Sequence, residues 1–224
     1  MKYGKFNVVI KYNAMTSKID LHSLLLIILV SVSGISFAQS TYNEKWINEN
    51  DPPYREILPF DASATAGNVF ARMIDGLGFR FYWATYDLQE VDLHYRLTEE
   101  SRSTSETIDH IGDLTWVIYK AIKRQSHIEV NHWSGYAYSE KRTEILKALK
   151  IISDTLKESD EESITTYTID LTRGSETISI PFWNLINGPV SDAIWHTGQI
   201  ASYRRASGNP LPPGIRFLTG TVQQ

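Results

Sequence analysis

The chain has 224 residues, with 22 Lys+Arg against 26 Asp+Glu, 12% aromatic residues and no Cys. That length suits one domain, and the lack of Cys excludes disulfides, a Cys nucleophile, Cys-ligated metal and a lipoprotein anchor. Without Lys2, Lys5, Lys11, Lys18 and Asp20, the rest of the chain holds 18 basic and 25 acidic side chains, a net of −7. With no basic run or basic helix, nucleic-acid binding is disfavoured.

The first 38 residues read as an export signal. Lys18 supplies positive charge, Leu24 to Val32 is an apolar core, and Ser36-Phe37-Ala38 places small residues where a signal peptidase cuts. Cleavage would leave Gln39 first, with the mature protein soluble in the periplasm or medium and not stably attached to a membrane. Met15 is an alternative start. Residues 39–60 are polar and broken by Pro52, Pro53 and Pro59, which predicts an irregular arm.

A first helix is expected over Asp61 to Asp87, with Val69, Met73, Leu77, Arg80 and Ala84 recurring in threes and fours. A loop through Val91 to Glu99 follows. Ser103-Thr104-Ser105-Glu106 has the form of a capping box and opens a second helix, Ser105 to Arg124, with Ile108, Ile111, Leu114, Val117 and Ile118 at helical spacing. His127 and His132 follow it in a connecting stretch and are left outside the site. The third helix spans Ser139 to Ser159, with Ile145, Leu146, Leu149, Ile152 and Leu156 as its apolar stripe. The acidic run Glu158, Asp160, Glu161, Glu162 reads as a solvated loop. Thr165 to Leu171 and Thr177 to Pro181 alternate around Arg173-Gly174-Ser175-Glu176, which predicts a hairpin. Val190 to Ser207 is the last helix, stopped by Gly208 and Pro210, with 211–224 as a tail.

The chemistry concentrates on that last helix. Asp192 and His196 are spaced i, i+4 and share a face. Gln199, three residues beyond His196, is placed to steady the imidazole. A carboxylate above an imidazole can aim at one metal ion without bending the backbone. Such a pair is also often no more than a surface hydrogen bond. His110 lies in the apolar run of the second helix and completes a three-ligand set if the two helices are neighbours. Three protein ligands leave positions open for water and substrate, as in catalytic sites. Trp116, Trp183 and Trp195 are candidate pocket walls, and Tyr203 with Arg204 a candidate contact for an anionic substrate. No nucleophile-elbow, Walker or dinucleotide-binding motif is present.

His110, Asp192-x3-His196-x-Gly198-Gln199, Arg204-Arg205, Gly208-Asn209-Pro210 and the lead-in Leu93-His94-Tyr95-Arg96 together resemble the DinB-like superfamily. That superfamily includes mycothiol-dependent maleylpyruvate isomerase and bacillithiol transferases. The resemblance covers about Asp61 to Pro210. It implies an all-α fold, an up-down-type four-helix bundle at 61–210 with a small β-hairpin inserted between its third and fourth helices. It also implies one divalent metal held by His110, Asp192 and His196, with Zn or Ni favoured and Fe compatible. The family commonly has His where this chain has Asp192. The expected activity is metal-dependent hydrolysis of an unidentified small molecule. The alternatives are a metal-dependent thiol transferase and a non-catalytic binding or structural module of the envelope. A homodimer is compatible with either.

Overall fold

The computed structural model describes residues 51–59, 63–126, 133, 135–173 and 175–223. The expected export segment and residues 39–50 of the arm lie outside the described residues, as do Asp61, His127 and His132. Pro52 to Gln224 forms one compact unit. Its described part is mostly helical, with two small antiparallel strand pairs.

Helix α1 is Ala66–Ala84, started by Thr65, whose hydroxyl accepts from the Asn68 N–H at 3.2 Å. Its buried face runs through Phe70, Ile74, Leu77, Phe81 and Ala84, while Val69 is half exposed. The core face is thus rotated by one residue from the stripe expected on Val69, Met73 and Arg80. Large aromatic side chains, which gain most from leaving water, take the inner positions. The first residues of the expected loop belong to a short helix, α2 (Glu90–His94), which the Asp92 carboxylate starts by accepting from the Gln89 N–H at 2.8 Å. A helix that short shows no periodicity in a sequence.

Helix α3 is Thr104–Ile122 and carries the expected capping box. The Ser103 N–H donates to Glu106 Oε2 at 2.7 Å, and the Glu106 N–H donates to Ser103 Oγ at 3.2 Å. Helix α4, Tyr138–Lys157, buries Ile145, Leu146, Leu149, Ile152 and Leu156 completely. The acidic run after it is not a loop: Asp160 accepts from the Ser163 N–H at 2.7 Å and opens a short helix, α5 (Glu161–Thr165). A carboxylate at a helix start is favoured by the backbone dipoles.

Strands β1 (Ile169–Arg173) and β2 (Glu176–Ile180) form the expected hairpin, in register from Ile169 opposite Ile180 to Arg173 opposite Glu176. A helical turn at Trp183–Leu185 and a π-helical turn at Ile186–Val190 then lead into helix α6, Ser191–Ala206. Gly188 departs from helical geometry there (φ −94°, ψ −106°), just before Pro189. Pro has no N–H to give a continuous helix. The residues after Pro210 include a second strand pair, β3 (Ile215–Arg216) and β4 (Thr221–Val222). The Ile57 N–H donates to Gly220 O at 2.7 Å, tying the arm to this pair.

The long helices pack α1 on α4, α4 on α3, α3 on α6 and α6 on α1. Pairwise contacts fix their directions. Ser153 meets Asp75 and Arg142 meets Tyr82, so α1 and α4 are antiparallel. Lys141 pairs with Asp109 and Lys123 with Thr155, so α3 and α4 run the same way. Helix α6 is antiparallel to α3, because His196 meets His110 and Tyr203 meets Tyr95 just before α3. The directions are therefore up, down, down, up, not a strict alternation. The stretch 123–137 is long enough to return the chain to the same end.

Candidate metal centre

His110 sits in the middle of α3, with Asp192 and His196 on the first turns of α6. The π-helical turn before Ser191 sets where α6 begins, and the Ser191 hydroxyl donates to Ile186 O at 2.7 Å, closing that irregular turn. The antiparallel crossing brings the three side chains together. His110 Nε2 lies 3.4 Å from Asp192 Oδ2, and His196 Nε2 lies 3.3 Å from Asp192 Oδ1. The two imidazoles meet edge to face with centroids 4.7 Å apart. One ligand atom from each residue falls within 4.8 Å of the others.

The donor set fits a divalent ion. Zn–N and Zn–O bonds of about 2.0–2.1 Å in a tetrahedron place neighbouring ligand atoms about 3.3–3.4 Å apart. The His–Asp separations have that length, each imidazole facing a different Asp192 oxygen, and a long His–carboxylate hydrogen bond has it too. His196 is oriented by a hydrogen bond. Its Nδ1 lies 2.7 Å from Gln199 Oε1, which can only accept, so Nδ1 carries the proton. Nε2 faces the Asp192 carboxylate, where a protonated ring donates to it and an unprotonated one is free to hold a cation. Gln199 takes the steadying role its spacing suggests.

Burial pushes the His110 pKa down, and the positive charges of Arg102 and His196 add to this, outweighing the pull of Asp192. His110 is therefore neutral around pH 7, the form that binds metal. It is only partly buried, less than a position on an apolar helix face suggests. The Asp192 side chain is 42% exposed, so the cluster opens to solvent on that side.

Other candidates take different places. Trp183 and Trp195 are about three-quarters exposed. Arg204 does not face a substrate. It is buried, with Nη1 donating to Trp83 O at 2.8 Å and Nη2 to Asn209 Oδ1 at 2.9 Å. It satisfies carbonyls at the C-terminal end of α1, which a sequence shows only as another Arg near a helix end. Asp109, next to His110 in the chain, pairs with Lys141 at 2.7 Å rather than joining the cluster. Asp92, also missed, accepts from Asn209 Nδ2 at 2.7 Å and from the Ser207 hydroxyl, joining α2 to the end of α6.

No protein-family model and no curated protein matches this chain.

Proposed function

We propose that this is an exported protein of the DinB-like kind, a four-helix bundle that holds one divalent metal through His110, Asp192 and His196 and acts as a metal-dependent hydrolase. The observation that carries the reading is the convergence of His110, Asp192 and His196, with the Asp192 oxygens 3.3–3.4 Å from the two Nε2 atoms and His196 Nδ1 held by Gln199. Helix directions of up, down, down, up support the bundle, and the motif around Asp192 and His196 supports the family.

Zn²⁺ or Ni²⁺ suits the two imidazoles, and the two-His, one-carboxylate set also suits Fe²⁺. A divalent ion held there supplies Lewis acidity and an activated water. The chain's own residues do the rest. A metal takes both imidazoles in their neutral form, so with one anionic ligand a centre holding a divalent ion keeps a net positive charge. Asp192, on the exposed side, leaves room for a substrate to approach. Hydrolysis is favoured over thiol transfer because the export signal removes the protein from cytosolic thiols.

Chelation tests the metal. The folded state alone presents all three ligands together, so bound metal stabilises it by mass action. Stripping metal should lower the Tm of the wild type and leave that of His110→Ala almost unmoved. Equal wild-type melting temperatures with and without chelator, in protein first shown to hold metal, would overturn the assignment.

A further inference from the structure

The seam between α3 and α6 continues beyond the three candidate ligands. One turn past His196 lies Gln199, and a turn further Tyr203 meets Tyr95, with ring centroids 5.7 Å apart. Tyr95 is tied to the first turn of α3, because its carbonyl accepts from the Thr104 N–H at 2.9 Å. Beside that turn stands Arg102. It is exposed, and among the described residues it makes no hydrogen bond or ion pair. Its neighbour Arg96 is committed, with Nη2 3.3 Å from Glu106 Oε2 and Nη1 donating to the Glu99 and Ser101 carbonyls. At the other end of the seam Trp195 is 72% exposed and lies on the α6 surface between Asp192 and Gln199. A side chain added at Gly198, one residue from Gln199, would meet nothing within 4 Å, so the outer side of this stretch is open.

We propose that this seam is the substrate-binding surface, taking an elongated small molecule with its reacting group at the His110/Asp192/His196 cluster and a carboxylate at its far end on Arg102. The inference rests on the metal reading above. A guanidinium presents a planar fork of N–H donors that matches a carboxylate in two bonds, so an exposed Arg, its charge acting on Glu106 and His110 without a direct bond to either, selects that group over a neutral one. Tyr95 and Tyr203 supply the aromatic floor between the two ends, and Trp195 flanks the reacting end. Arg102 precedes His110 by eight residues. The six residues from Thr104 to His110 give about 9 Å of helix rise, with Ser103 and Arg102 lying beyond the helix start, so the ligand should span about 10 Å.

Calorimetric titration of the zinc-loaded full chain with α,ω-dicarboxylates, from succinate to sebacate, tests this. Affinity should climb toward the long members, which can reach both ends. Arg102→Gln should weaken sebacate about fivefold, the size of an exposed ion pair, and leave acetate unchanged. Arg102→Lys should recover part of the loss. Arg102 is at the surface, so the variants should keep the wild-type helical circular dichroism. Equal sebacate affinity in wild type and Arg102→Gln, no dependence on chain length, or no binding at all would overturn the proposal. Repeating the titration without zinc separates the two readings. Binding that needs zinc but not Arg102 sinks the carboxylate subsite alone. Binding that needs Arg102 but not zinc sinks the metal reading and leaves the subsite standing.

Discussion

At the scale of single residues, Gln199 and Arg204 show opposite fates for polar side chains on one helix. Gln199 is partly exposed and acts on its neighbour, by accepting the Nδ1 proton of His196. Groups that orient a metal-binding His in this way are worth about 10–100-fold in metal affinity. Gln199→Ala should therefore weaken zinc binding by at least about tenfold, while Gln199→Glu, which keeps an acceptor, should retain it. Competition with a chelating dye reads both; unchanged affinity in Gln199→Ala would remove Gln199 from the centre. Arg204 is buried and makes its bonds to the backbone at the end of α1. Replacing it by Met strands those carbonyls away from water, at a cost of about 2–4 kcal/mol, with metal affinity unchanged. Urea unfolding measures the first, and the dye assay the second. The sequence offers both residues as polar groups near one motif. Spacing alone identified Gln199, because i, i+3 is local, whereas the carbonyls that claim Arg204 lie more than a hundred residues away.

At the scale of elements, the start and the stripe of a long helix were legible, and short or irregular elements were not. Ser103 and Glu106 declare the start of α3 through local hydrogen bonds, and the α4 stripe is fully buried as its period suggests. Helix α2, α5 and the π-helical turn are too short for periodicity and depend on single caps or on Gly188 and Pro189. The rotation of the α1 face was hidden because α1 packs against both α4 and α6, so much of its circumference is apolar. Gly67 makes the contact between α1 and the end of α4 concrete. A Cβ added there would lie 2.3 Å from the Leu156 carbonyl oxygen. Ala is favoured over Gly inside a helix by about 1 kcal/mol, yet here the backbones would have to separate. Gly67→Ala should destabilise by about 1–3 kcal/mol, measured by urea unfolding. A stabilised variant would show that the two helices can part without loss.

At the scale of the whole molecule, pH and metal act on the same fold. The lowered pKa of His110 means the folded state binds that proton less tightly than the unfolded chain, whose imidazole titrates near about 6.5. The stability it represents is present above that value and is lost as pH falls below it. Burial alone would raise the Asp92 pKa, but hydrogen bonds from Asn209, Ser207 and the Gln89 N–H, with the charge of Arg204, hold it below the usual carboxylate range. Its share is present above about pH 4 and is lost as pH falls further. The Tm should hold from neutral pH upward and drop in two stages on acidification, and His110→Gln should erase the upper stage alone. A single stage in the wild type, near that of free carboxylates, would contradict the His110 assignment. Metal steepens the upper stage in the same direction, because protons compete for the ligands.

The central claim is that His110, Asp192 and His196 hold one divalent ion, and titration of zinc into the chelator-treated full chain tests it most directly. The account predicts about one ion per chain, with proton release, and loss of that site in His196→Ala and in Asp192→Ala. Equal zinc binding by the wild type and both variants, or none by the wild type, would contradict it and leave the cluster as a His–Asp–His contact without metal.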